Sequence, residues 1–160
     1  MNSAYLHSVE EVIAELHDRG FFADCSALVT DSRRVGPQDV FLAVPGQEFD
    51  PRNLADDMIE NSRCGLVLVE YDETRAYQVA QVIAVKGLKS MLAELAKVYY
   101  GDPSAKLRVI GVTGTNGKTT VTRWLAQLLN LCGYKAGVVG TLGFGSPGQM
   151  RTDAGLTTPD

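Results

Sequence analysis

From Thr113 to Thr120 the chain reads TGTNGKTT, and every residue type in that stretch suits one task. Glycines let the backbone turn consecutive N–H groups toward a single anion, a lysine adds a fixed positive charge, and a hydroxyl beside it can ligate a divalent cation. Held together, those groups grip a polyphosphate. In a phosphate loop of the form G-x-x-x-x-G-K-[ST], Lys118 would reach the β- and γ-phosphates and the Thr119 hydroxyl would hold Mg²⁺. The spacing departs from that form at one place, because the position five before Gly117 is Val112 and Gly111 stands one residue too early. A glycine turn with an exposed lysine is the competing reading.

The elements on either side decide between the two. LRVIGVT, residues 107–113, has the composition of a strand running into the loop, and KTTVTRWLAQLLNLCG has the apolar spacing of a helix leaving it. KAGVVG then supplies a second strand, so the segment predicts one βαβ unit with a parallel, right-handed crossover. A helix N-terminus placed directly after the loop adds partial positive charge where a phosphate would sit. The following residues, GTLGFGSPGQMRTDAGLTTPD, are glycine-rich and weakly periodic, and suggest no regular element.

Upstream, Ser8 and Glu11 form a capping box ahead of Val9, Val12, Ile13 and Leu16, and Gly20 stops that helix. ALVTDSRRV and DVFLAVPG are short β-rich segments separated by the turn residues Gly36-Pro37. Asp50 and Pro51 open a helix running to about Ser62; GLVLVE and QVIAV read as strands, the first apolar enough to be covered on both faces. A further helix from about Lys86 ends at Gly101-Asp102-Pro103, where a domain boundary is expected.

Composition narrows the function classes. A chain of 160 residues with 45% hydrophobic and 21% charged residues is globular, and a net charge of -4 without a basic cluster argues against nucleic acid as a partner. No run of about 18 apolar residues exists to enter a membrane, and the N-terminus lacks the pattern of a signal peptide. A cytoplasmic protein is expected. Cys25, Cys64 and Cys132 have neither disulfide-framework nor zinc spacing and read as reduced, mostly buried thiols, and His7 and His17 read as solvated surface residues.

The shortened loop G-T-N-G-K-T resembles the ATP loop of the Mur ligases and of their relatives, the folylpolyglutamate and cyanophycin synthetases. Three further stretches resemble the Mur ligases that add the third peptide residue to a UDP-N-acetylmuramoyl dipeptide. These are DSRRVGPQDVFLAVPGQEFD, AKVYYGDPSAKLRVIGVTGTNGKTT and GLTTPD. The resemblance implies that Gly114, Thr115, Asn116, Gly117, Lys118, Thr119 and Thr120 bind ATP, with Lys118 catalytic and Thr119 on Mg²⁺. It likewise implies that Thr30, Ser32, Gln47, Thr157 and Thr158 contact the UDP-muramoyl peptide. Pro51 stands where the family has a glycine.

The expected fold is α/β: an N-terminal mixed α/β uridine-nucleotide domain over residues 1–100, then over 101–160 the beginning of a phosphate-loop, parallel-sheet ATP domain. The implied reaction is ATP-dependent amide formation through an acyl phosphate on the substrate's D-glutamate, adding diaminopimelate or lysine in peptidoglycan synthesis. The full enzyme would be monomeric, and the 160 residues, resembling only its front part, are expected to be inert alone. A stand-alone nucleotide-binding regulatory module, or another amide ligase of the same superfamily, are the alternatives.

Overall fold

Ser8 starts the first helix by accepting a 3.2 Å hydrogen bond from the Glu11 amide, and Glu11 Oε2 accepts in return from the His7 amide at 2.7 Å. The return bond reaches one residue further back than a capping box requires, tying the residue before the N-cap to the first turn. In this computed structural model, which describes residues 5–46 and 49–151, helix α1 spans Val9–Asp18 and buries Val9, Val12 and Leu16. The chain divides into two units, Met1–Leu107 and Arg108–Asp160.

The first unit is built on four strands in the order β1-β2-β3-β4, every neighbouring pair parallel: β1 Leu28–Val29, β2 Val40–Ala43, β3 Leu66–Glu70 and β4 Val82–Val85. The two segments flanking Gly36-Pro37 thus become β1 and β2, which run the same way. Asp39 closes the connection between them, its carboxylate accepting from the amides of Ala27 and Gly36 at 2.9 and 2.8 Å. Leu6 bridges to Val85 and extends the other edge.

Period-two alternation sends Val40, Leu42, Leu66 and Leu68 to one face and Phe41, Ala43, Val67 and Val69 to the other. On the first face lie α1 and α3, Leu88–Tyr99; on the second lies α2, Ala55–Glu60. Burial on both faces explains the unbroken apolar run of β3. The helix expected from Asp50 enters as one 3-10 segment, Pro51–Leu54, before becoming α2, with Asp50 accepting from the Arg52 amide at 3.1 Å. Gly65 leaves room just before β3, where a Cβ would stand 2.8 Å from the Phe21 ring and 3.2 Å from the Pro37 carbonyl and would displace the ring.

The second unit differs from the sequence expectation. Helix α4, Lys118–Leu131, forms as expected. Residues 107–113 form no strand, however, and no parallel pair is present among the described residues of this unit. Instead the expected strand β5, Val138–Gly140, pairs antiparallel with β6, Gly143–Ser146, and β6 with β7, Gln149–Arg151, a meander whose last two strands come from residues expected to lack regular structure. Antiparallel pairing across short turns closes small loops, whereas parallel pairing of 107–113 with β5 must close a loop that includes all of α4. Val109, Ile110, Val121, Trp124, Leu128 and Leu131 are consequently exposed.

The thiols also depart from expectation. Cys64 is buried, Cys25 and Cys132 are exposed, and all three are free. Both histidines lie on the surface, His17 stacked on Phe22 at 5.0 Å between ring centroids.

Candidate functional site

In the second unit the loop before α4 is shaped by two glycines with positive φ, Gly114 at 141° and Gly117 at 77°. An L-residue with a Cβ is strained at both values. Gly117 is also the N-cap of α4 and has no side chain to satisfy the first turn, so the N–H groups there are left without a side-chain acceptor. The contrast with α1 is direct, since Ser8 occupies that role there. Lys118 arches over the loop, its Nζ donating to the carbonyl of Gly114 and, at 3.4 Å, to that of Thr115. An uncapped helix N-terminus and an ammonium therefore lie together at this loop.

Gly114, Thr115, Asn116, Gly117, Lys118 and Thr120 are exposed and Thr119 is half-buried, so the predicted phosphate-binding residues occupy one continuous loop and first turn. Beside them opens a cleft of about 260 Å³. Lys118, Thr119, Thr122 and Arg123 line it from the helix, Val138–Gly143 and Met150 from the meander, and Val112 closes it below the loop. Val112, the residue that breaks the usual phosphate-loop spacing, is thus a wall of the cleft. Thr122 and Arg123 were not singled out from the sequence; their signal is helical spacing, three and four residues after Thr119, which puts them on its face.

Among the described residues no group of three or more His, Cys, Asp or Glu side chains could hold a metal. Thr119 fits a cation of the kind that keeps most of its shell as water and phosphate, as Mg²⁺ does. Such a cation would arrive with the nucleotide.

In the first unit, parallel pairing brings the carboxyl ends of all four strands to one edge of the sheet. Open parallel sheets take ligands at that edge. Thr30 follows β1 directly and Ser32 lies two residues on, its carbonyl accepting from Arg63 Nη2 at 3.1 Å. Asp31 between them accepts from the Arg33 side chain at 2.6 and 2.8 Å, and those bonds hold its carboxyl down at about 2. Thr30 and Ser32 are therefore presented at the same sheet edge. Gln47, Thr157 and Thr158 lie outside the described residues.

The segment after β2 is tied to that edge by an ionic network the sequence reading did not single out. Arg52, its side chain 11% exposed, donates from Nη2 to Asp50 at 2.8 Å and from Nη1 to Asp72 at 3.3 Å. The same Nη1 reaches the Glu70 carbonyl at the end of β3, and Arg75 adds a 2.9 Å pair to Asp50. Arg52 is the first cause of the lowered Asp50 pKa, while burial raises that of the adjacent Tyr77.

Comparison with known proteins gives this geometry a lineage. Residues 112–160, which begin at Val112 and contain the whole loop, match the model of the Mur ligase middle domain. The UDP-N-acetylmuramoyl-L-alanyl-D-glutamate--2,6-diaminopimelate ligase of Pseudomonas putida is 44% identical over 137 residues, covering 83% of this chain. The chain is thus similar to Mur ligases in both of its units. The ligase of the same name from Coxiella burnetii is 32% identical and aligns with 100% of the chain. A solved structure of a ligase so named superimposes on 78% of this chain with a TM-score of 0.56 and 26% identity. The chain spans only part of each: 27% of the Pseudomonas putida protein, 32% of the Coxiella burnetii protein and 26% of the solved chain.

Proposed function

We propose that the chain supplies the nucleotide-handling part of an ATP-dependent ligase that joins diaminopimelate to UDP-N-acetylmuramoyl-L-alanyl-D-glutamate in peptidoglycan synthesis. The observation that carries this reading is the loop at Gly114–Thr120. There the positive-φ glycines, an α4 N-terminus without a side-chain cap and Lys118 coincide, inside a segment that matches the Mur ligase middle domain. Diaminopimelate is favoured over lysine because the relatives carry it in their names.

ATP would sit with its phosphates on the loop amides, Lys118 against the β- and γ-phosphates and the Thr119 hydroxyl toward Mg²⁺. Bound Mg²⁺ would neutralise charge on the phosphate oxygens. The chain's own residues orient the triphosphate and stabilise charge; none has to act as a nucleophile, because phosphoryl transfer rests on positioning and electrostatics. The acceptor would be the D-glutamate carboxylate, and the resulting acyl phosphate would be attacked by the amine of diaminopimelate. Thr30, Ser32 and Gln47 are proposed to hold the uridine diphosphate, and Thr157 and Thr158 the muramoyl peptide. Three free cysteines accord with a reducing, cytoplasmic setting, and no helix among the described residues is long and apolar enough to cross a membrane.

The loop assignment is tested by calorimetric titration of the chain with Mg-ATP. Wild type should bind, and Lys118→Ala should lose at least about tenfold in affinity, since a hydrogen bond to a charged group is worth ~1.5–3 kcal/mol. Equal binding by both proteins would sink the assignment.

A further inference from the structure

The cleft beside the phosphate loop contains a cation that the loop motif does not account for. Arg123 lies on the same face of α4 as Thr119, one turn further on, and lines the cleft with Lys118, Thr119 and Thr122. Helical side chains slant toward the helix N-terminus, so a long side chain at this position extends back toward the loop.

Its electrostatic setting is distinctive. Three arginines among the described residues are half-buried: Arg52, Arg75 and Arg123. Asp50 meets the first two, at 2.8 and 2.9 Å, whereas the Arg123 guanidinium has no hydrogen-bond or ion-pair partner among the described residues. A partly desolvated guanidinium without an anion is unfavourable, and its planar fork matches phosphate oxygens. Lys118, by contrast, is held against the loop through the Gly114 and Thr115 carbonyls. Both cations line the cleft, Lys118 bonded to the loop carbonyls and Arg123 one turn and more further along α4.

We propose that Arg123 is a second phosphate-binding residue of this site, taking the terminal phosphate of a nucleoside triphosphate and so favouring triphosphate over diphosphate. The inference rests on the phosphate-loop reading of Gly114–Thr120.

Mg-ATP and Mg-ADP titrations of the 160-residue chain test it, using wild type, Lys118→Ala, Arg123→Gln and Arg123→Lys, with circular dichroism confirming the fold of each. Arg123→Gln should weaken ATP about tenfold and ADP less than about twofold, and Lys118→Ala should weaken both. If Arg123→Gln does not fold, Arg123→Lys is decisive, because it keeps stem and charge but loses the fork; weaker ATP binding with unchanged ADP binding supports the proposal. Unchanged ATP affinity in the folded variant, or an equal loss for ATP and ADP, overturns it. Failure of wild type to bind either nucleotide overturns the loop reading itself, and this proposal with it.

Discussion

Arg52 shows how one residue can hold the architecture around a site without being part of a recognisable motif. Its guanidinium joins Asp50, Asp72 and the Glu70 carbonyl, connecting the segment after β2 to the carboxyl end of β3. Replacing it with methionine keeps the length of the stem but leaves Asp50 and Asp72, each about three-quarters covered, with Arg75 as their remaining cation. Arg52→Met should therefore cost about 2 kcal/mol, less than for a fully buried pair because Arg75 still meets Asp50. Urea denaturation measures this directly, and an unchanged midpoint would show that the network is ornamental to stability. Asp50 was legible in the sequence as a helix cap beside Pro51. Its ionic partners were not, because Asp72 and Arg75 come from a distant loop that no local pattern connects to it.

At the scale of elements, the parallel sheet depends on neutral groups buried at its margins. Burial pushes the Cys64 thiol from 9.0 up to about 11 and the Tyr99 phenol from 10.0 up to about 12. Cys64 belongs to the cluster beneath α2, and Tyr99 closes α3 while donating to the Ser26 carbonyl at 3.2 Å. Both folded-state values lie above the unfolded ones. The stability these groups contribute is thus complete below about pH 9 and is lost as pH rises through about 11 and 12. Thermal unfolding followed from pH 8 to 12 should show a falling midpoint over that window; a flat profile would mean that neither group is buried as described.

The elements of the first unit were readable because each carried its own local signal: Ser8 and Glu11 for α1, Asp50-Pro51 for the entry to α2, and the apolar run 66–69 for β3. In the second unit, α4 was readable for the same reason. Residues 107–113 were misread because β-rich composition states a propensity and not a partner. The glycines of GTLGFGSPGQM concealed a meander, since strands interrupted by glycine lose the alternation that identifies them.

At the scale of the whole molecule, the same contrast appears in what is covered. The sheet of the first unit has helices on both faces, whereas α4 leaves Val121, Trp124, Leu128 and Leu131 exposed at i, i+3, i+7 and i+10 spacing. Trp124 is the only tryptophan and is 69% exposed, which makes it a reporter of that stripe. Its fluorescence should have the long-wavelength maximum of a water-exposed indole and change little on unfolding in dilute solution. A blue-shifted maximum at low concentration would contradict the arrangement of α4. The candidate sites divide along the same line: the phosphate loop was readable residue by residue because its chemistry is contiguous. Arg123 was not, because its role depends on a cleft shared with β5 and β6.

On the proposed function, one chain carries a phosphate-loop ATP site and, in its other unit, a uridine-nucleotide site at the carboxyl edge of a parallel sheet. Backbone amide shifts, recorded as Mg-ATP and then UDP-N-acetylmuramoyl-L-alanyl-D-glutamate are added, test both halves in a single experiment. ATP should move the amides of Gly114–Thr120, and the uridine compound those of Thr30–Ser32 and residues 44–50. Shifts confined to the opposite edge of the sheet, around Gly36–Asp39, or no response at Gly114–Thr120 to saturating ATP, would contradict it.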